Sequence, residues 1–420
     1  MAAKFIINGG KPLAGELGIQ GSKNTVLPLM AACLLTAEPC TLENVPELAD
    51  VSTMLDIIKA LGGETAWERT QKRLVIRVSA LATPALPDAE ARKLRASILC
   101  AGALVGRMRE AVLPYPGGDA IGSRPITTHL NALARLGVIT REEGMIRLDG
   151  RNLKGGDLIL EEPSVTATEN TILASVLAPG RTRIRMAAFE PHVQELVRFL
   201  ASLGARIRWD ENLSIDIEGV ERLGGGTQRV NPDELEISGF SALAAATRSE
   251  LSLSGIEPRY LDAVFLQLGK MGVTYEMIGS ALSIRKPERP YRAFRIQSGL
   301  YPKLGSDHIP PFAVLATQAE GSSLVHDWMY DGRLRYLGEL EKMGASATIL
   351  DPHRAIIRGP TPLWGTALDG LDIRSGMTMV IAGLVAQGQT TIAGVEHLDR
   401  GYARLDERLQ AIGADIKRVV

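Results

Sequence analysis

One short signature recurs six times along the chain and limits what it can become. Leu-Gly-Gly at 61–63 returns as Leu-Gly-Val at 136–138, Leu-Gly-Ala at 203–205, Met-Gly-Val at 271–273, Met-Gly-Ala at 343–345 and Ile-Gly-Ala at 412–414. The central glycines, 62, 137, 204, 272, 344 and 413, lie 75, 67, 68, 72 and 69 residues apart. A period near seventy is too long for helical solenoids, whose repeats reach about 47 residues. It suits a βαβαβ-sized layer of sheet and helices. Each unit reads alike: an apolar segment (TILASVLAPG, MVIAGLVAQG), a short β-like stretch (RTRIRM, TTIAGV), an amphipathic helix, the glycine, and a final alternating strand. In HVQELVRFLASLG the apolar Val193, Leu196, Leu200 and Leu203 fall at helical spacing. The glycine stands where a left-handed residue would end that helix.

A chain of 420 residues exceeds what one hydrophobic core usually serves. The Gly-rich stretch 221–234, ERLGGGTQRVNPDE, is the best break, dividing the six units three and three and predicting a ligand cleft between two domains. The net charge of −1 and 5% aromatic content give no basis for nucleic-acid binding, and no apolar run is long enough for membrane insertion. The cysteines, 33, 40 and 100, form no CxxC pair, which fits a reducing, cytoplasmic setting and small buried hydrophobes. The six histidines show no metal spacing, and no P-loop or strand-linked GxGxxG appears. Neither a metal nor a nucleotide cofactor is expected.

Polar residues outside the repeat pattern are the candidates for chemistry. In QGSKNTVLPL, Lys23 and Asn24 open an apolar helix, a setting equally suited to phosphate and to an ordinary capped helix with a solvated lysine. In PGGDAIGSRP, residues 116–125, Asp119 sits among glycines. Pro125 is expected at the first position of the next helix, with Arg124 at its positive end. Alone, Asp119 reads as part of a surface turn. Arg95, Asp307, Asp331 with Arg333, Asp372 with Arg374, and Arg400 occupy comparable phases of other units, although an Asp-x-Arg pair is often just a local ion pair.

Taken together, GSKNTVLPL, RASI, PGGDAIGSRP, SVTATEN, GVERLGGGTQRVNPDELE, LDIRSGMTMVIAGLVAQG and HLDRGYARLDERLQAIGA resemble the enolpyruvyl transferase family, on its UDP-N-acetylglucosamine branch, over essentially the whole chain. The resemblance implies an α/β fold: a two-domain inside-out α/β barrel of six repeated units, three per domain. One domain spans 22–231 with a catalytic loop near 114–125, the other 1–21 plus 232–420. It implies a monomer that moves enolpyruvyl from phosphoenolpyruvate to the 3′-hydroxyl of UDP-N-acetylglucosamine without metal or organic cofactor. By motif, Lys23, Arg124 and Arg400 hold phosphoenolpyruvate, with Asn24 shared between substrates. Arg95, Arg124, Pro125, Ile126, Thr127, Thr128, Ser164, Val165 and Met329 contact the sugar nucleotide. Asp307 orients and deprotonates the hydroxyl. Asp372 and Arg374 support the phosphoenolpyruvate end, with Arg333 nearby.

Several positions depart from the family pattern. Asp119 replaces a cysteine usual in the family, whose thiolate is what fosfomycin alkylates; a carboxylate lacks that nucleophile. Thr127 and Thr166 stand where aspartate and glycine are common, and Asp331-Gly332 and Gly305-Ser306 also differ from the usual residues. These changes surround the acceptor, so transfer to a different nucleotide stays open as the alternative. For Asp119 to act as the acid, its carboxyl must keep a proton near neutral pH, a shift worth about 4 kcal/mol. A closed, dry ternary complex is where that is expected.

Overall fold

The computed structural model describes residues 3–118 and 124–419. Of these, 21–118 with 124–231 form one compact unit, and 3–20 with 232–419 the other.

Among the described residues, six small sheets share one plan. In the sheet around Arg181–Arg185, that strand pairs parallel with Asp157–Ile159 and antiparallel with Ser214–Glu218, which in turn pairs with Arg206–Asp210 at the edge. Four other sheets repeat this order. The sixth, built from Glu110–Leu113, Ile146–Asp149 and Ile139–Glu142, has three strands, with the single parallel bridge Ala85–Val112 in place of the outer one. Each unit holds three of the six sheets.

The chain's first residues complete the unit of 232–419. Lys4–Asn8 lies antiparallel between Gln389–Ala393 and Asp415–Val419, with Phe5 opposite both Ile392 and Arg418. Ala14–Gly18 runs parallel to Glu250–Ser254. In the other unit Gly226–Arg229 returns parallel to Cys40–Glu43.

The apolar segments form helices that are hydrophobic on every side, and such helices belong in a core. All thirteen residues of Glu234–Ala246 and all nine of Ile309–Thr317 are buried. Both pack against Ile373–Val385, which includes Met377 and Met379 at 0% exposure. The 21–231 unit places Lys23–Ala32, Leu99–Met108 and Val165–Ser175 in the equivalent positions. The six marker glycines have φ of 98°, 87°, 98°, 78°, 97° and 93°, the left-handed region that ends a helix at little cost to glycine. Cys33, Cys40 and Cys100 are free and buried. Among the described residues no helix is long and apolar enough to cross a membrane.

One expected helix start moves. The helix after the glycine loop is Thr127–Arg135 and Ile126 is its N-cap, so Pro125 lies outside it. The carbonyls of Arg124 and Pro125 accept hydrogen bonds from the Arg95 guanidinium, at 2.6 and 3.4 Å, and are not free to begin a helical ladder.

Candidate functional site

Several of the candidate residues lie at the N-terminal ends of the core helices. There unpaired backbone N–H groups and the helix dipole together favour negative charge. In the 21–231 unit, Lys23 and Asn24 begin Lys23–Ala32, Arg95 begins the turn leading into Leu99–Met108, and Ser164 caps Val165–Ser175. In the other unit Asp307 lies in the turn before Ile309–Thr317, and Asp372 caps Ile373–Val385. This recurrence of phase is what the repeat implied.

In the 232–419 unit three helix starts converge. Arg333, with its side chain 3% exposed, is ion-paired to Asp307 and lies 3.5 Å from Asp372; its Nε also donates to Ser306 Oγ at 3.1 Å. Arg374 reaches Asp307 Oδ2 at 3.5 Å and donates to the Tyr402 hydroxyl at 3.0 Å. Asp372 accepts from the backbone N–H groups of Arg374 and Ser375, which fixes it as cap and ion-pair partner together. Asp233 caps Glu234–Ala246 in the same way and adds its charge beside Arg374. Burial pulls the Arg374 guanidinium towards neutrality, but Tyr402, Asp307 and Asp233 outweigh it and hold it firmly charged. Burial raises Asp327, whose Oδ2 accepts from the Ser306 hydroxyl at 2.6 Å. It also depresses His308 to about 4, leaving a neutral imidazole at 2.9 Å from Ser238.

In the 21–231 unit the arrangement is more open. Lys23 is 3.1 Å from buried Asp50, so it is an oriented and paired cation, unlike the solvated lysine of the simpler expectation. A cavity of about 580 Å³ is lined by Arg95, Arg124, Pro125, Ile126 and Thr127, together with Tyr115, Asn131 and Glu142. Thr128 is buried and does not line it. Ser164 and Val165 are half-buried and do not line it. Thr166 bonds His129 at 2.8 Å, and burial lowers that imidazole to about 4.

Asp119 lies outside the described residues. The two glycines before it are required by close approach. A Cβ at Gly117 would stand 1.6 Å from the Arg92 carbonyl oxygen, and one at Gly118, whose φ is +110°, would stand 2.9 Å from the Arg95 Cβ. Arg95 therefore touches the loop on its entering side and grips its returning backbone at Arg124. Its guanidinium acts on the loop, a role the sequence did not suggest.

Met329 and Arg400 are half-buried in the 232–419 unit, Arg400 at the end of the turn Val395–Arg400. Sequence reasoning overlooked Asp50, Asp233, Glu234 and Tyr402. Asp233 and Glu234 had a signal, because they occupy the helix-start phase that marks the other candidates.

A family model described as EPSP synthase (3-phosphoshikimate 1-carboxyvinyltransferase) matches residues 7–409. The chain is 41% identical over 424 residues, 99% of each chain, to a Treponema denticola protein named UDP-N-acetylglucosamine 1-carboxyvinyltransferase. It is 39% identical to a protein of the same name from Bradyrhizobium diazoefficiens, covering 99% of this chain and 98% of that one. Among solved structures, the enolpyruvyl transferase NikO from Streptomyces tendae superimposes with a TM-score of 0.92 at 24% identity, over 100% of this chain and 99% of that one. An EPSP synthase from Acinetobacter baumannii gives 0.75 at 19% identity, with both chains fully covered. These two establish likeness of fold.

Proposed function

The chain belongs to the enolpyruvyl transferase family, and from that premise we propose that it transfers enolpyruvyl from phosphoenolpyruvate to the 3′-hydroxyl of UDP-N-acetylglucosamine, the first committed step of peptidoglycan synthesis. The observation that carries the reading is Asp307 at a meeting of core-helix starts, flanked by Arg333 and Arg374. The reaction needs a base for a hydroxyl, an acid for a methylene carbon and cations for phosphate and carboxylate.

Asp307 takes the proton of the acceptor hydroxyl as its oxygen bonds to C2 of phosphoenolpyruvate. Asp119 is assigned as the acid that delivers a proton to the methylene carbon, giving a tetrahedral ketal. Breaking the C2–O bond to phosphate, with loss of a methyl proton, restores the double bond. Lys23, Arg124 and Arg400 serve the anionic groups of the donor, supported by Asp372 and Arg374. Asn24 serves both substrates, and Arg95 shapes the nucleotide cavity through the loop it holds. The same reading assigns each unit as a three-repeat inside-out barrel domain, 22–231 and 1–21 plus 232–420, in a cytoplasmic enzyme.

Acceptor identity is tested by kcat/KM across UDP-N-acetylglucosamine, other UDP-sugars and UMP, with phosphoenolpyruvate saturating. The reading expects UDP-N-acetylglucosamine to lead by at least about a hundredfold, the discrimination that a site losing matched polar contacts shows. A preference for UMP or another nucleotide would overturn the acceptor and keep the transfer chemistry.

A further inference from the structure

Glu234 is a buried acid at the site to which no role has yet been given. It opens the core helix Glu234–Ala246 directly after the cap Asp233. The residue is 7% exposed, and its Oε2 is buried with no hydrogen-bond partner. A carboxylate stranded this way is costly; a neutral carboxyl is far less so. Three charged groups act on it electrostatically: Asp233, the cap of its own helix, Arg374 at the start of Ile373–Val385, and Asp307 in the turn before Ile309–Thr317. The neighbouring titratable groups are otherwise engaged. His308 bonds Ser238, and Glu236 is paired with Arg408. Burial first, and the Asp233 charge second, push the Glu234 carboxyl up to about 8; a hydrogen bond to its own backbone N–H, and then the Arg374 charge, offset this only in part.

We propose that Glu234 is a positioning residue for the Arg374–Asp307 pair. As a neutral carboxyl it leaves that guanidinium to Asp307 and to an anionic substrate; once ionised, it draws Arg374 away from both. Ionisation adds a carboxylate to Asp233, Asp307 and Asp372, all set against Arg333 and Arg374, at a depth where salt screens little. An anionic donor then meets a more negative floor. The inference rests on the enolpyruvyl-transfer reading for the identity of that anion, phosphoenolpyruvate.

The test is KM for phosphoenolpyruvate from pH 6.5 to 9.5, acceptor saturating, in the wild type and in Glu234→Gln. Wild-type KM is expected to rise about tenfold between pH 7 and 9.5, centred near 8, with a much smaller change in kcat. Glu234→Gln cannot ionise, and its KM is expected to rise no more than about twofold over the same range. An equal rise in the variant, or a flat wild-type profile, overturns the proposal. Should the variant not fold, calorimetry of phosphoenolpyruvate binding to the wild type at pH 8, in two buffers of different ionisation enthalpy, decides the matter. Uptake of about half a proton supports the role and no uptake overturns it. Absence of turnover at pH 7 with both substrates would instead fall on the enolpyruvyl-transfer reading.

Discussion

The two units present their site arginines in opposite ways. In the 232–419 unit the guanidiniums are sunk into the fold: Arg333 and Arg374 have side chains 3% and 6% exposed, and each is paired to carboxylates. In the 21–231 unit, Arg95 donates to backbone and Arg124 lines an open cavity of about 580 Å³. The first is a charge frame held by ion pairs and a helix cap. The second is a surface that a large ligand can fill. Fixed dipoles and charges need no reorganisation as the reaction proceeds, which is the physical advantage of the sunken frame for chemistry. An open cavity suits recognition, since its polar groups are free to exchange water for ligand.

The comparison breaks most visibly at Asp307. Asp307→Asn keeps the shape and loses the proposed base, so kcat should fall about 10²- to 10⁴-fold in steady-state assays while acceptor binding by calorimetry changes little. A loss below tenfold would remove Asp307 from the chemistry. The next contrast sets Arg333→Met against Arg95→Ala. Removing Arg333 leaves Asp307 and Asp372 short of a buried partner, and denaturant unfolding should show a loss of about 3–5 kcal/mol. Removing Arg95 should cost less than about 1.5 kcal/mol in stability, the worth of its backbone hydrogen bonds, and should raise KM for the nucleotide about tenfold. Equal stability losses would erase the distinction between frame and cavity.

A smaller effect concerns Glu234. Its folded-state carboxyl is raised from 4.5 to about 8, so the folded protein binds more protons than the unfolded chain between those values. The resulting stabilisation is complete below about 4.5 and is lost as pH rises to about 8. Glu234→Gln should therefore melt about 3–6 °C above the wild type at pH 9, with the difference shrinking towards pH 5. The smallest expected effect is a null one. Cys33, Cys40 and Cys100 are at most 1% exposed, and by the family resemblance Asp119 stands where a cysteine is usual, so prolonged fosfomycin treatment should leave the intact mass unchanged.

The frame and the cavity were unequally legible in the sequence. Glycines 62, 137, 204, 272, 344 and 413 announce the repeat because a left-handed helix end selects glycine locally. The all-apolar stretches announce the core helices for a similarly local reason. Lys23, Arg95, Asp307 and Asp372 could be picked out by phase, once the repeat was seen. The partners that give them meaning could not. Asp50 lies 27 residues from Lys23, and Asp372 lies 39 from Arg333, contacts made by packing. Glu234 looks like any acidic residue in a helix's first turn, and only its burial and unpartnered oxygen make it notable. The start of the helix after the loop was misplaced because Arg95, 29 residues upstream, holds the backbone of Arg124.

On the proposed reading, this charge frame serves a transfer between two substrates. Its most direct test is phosphate release from phosphoenolpyruvate, measured together with the nuclear magnetic resonance spectrum of the sugar-nucleotide product. One phosphate is expected for each enolpyruvyl ether formed at the 3′-hydroxyl, and none when UDP-N-acetylglucosamine is left out. Phosphate released without the acceptor, or no phosphate with both substrates present, would contradict it.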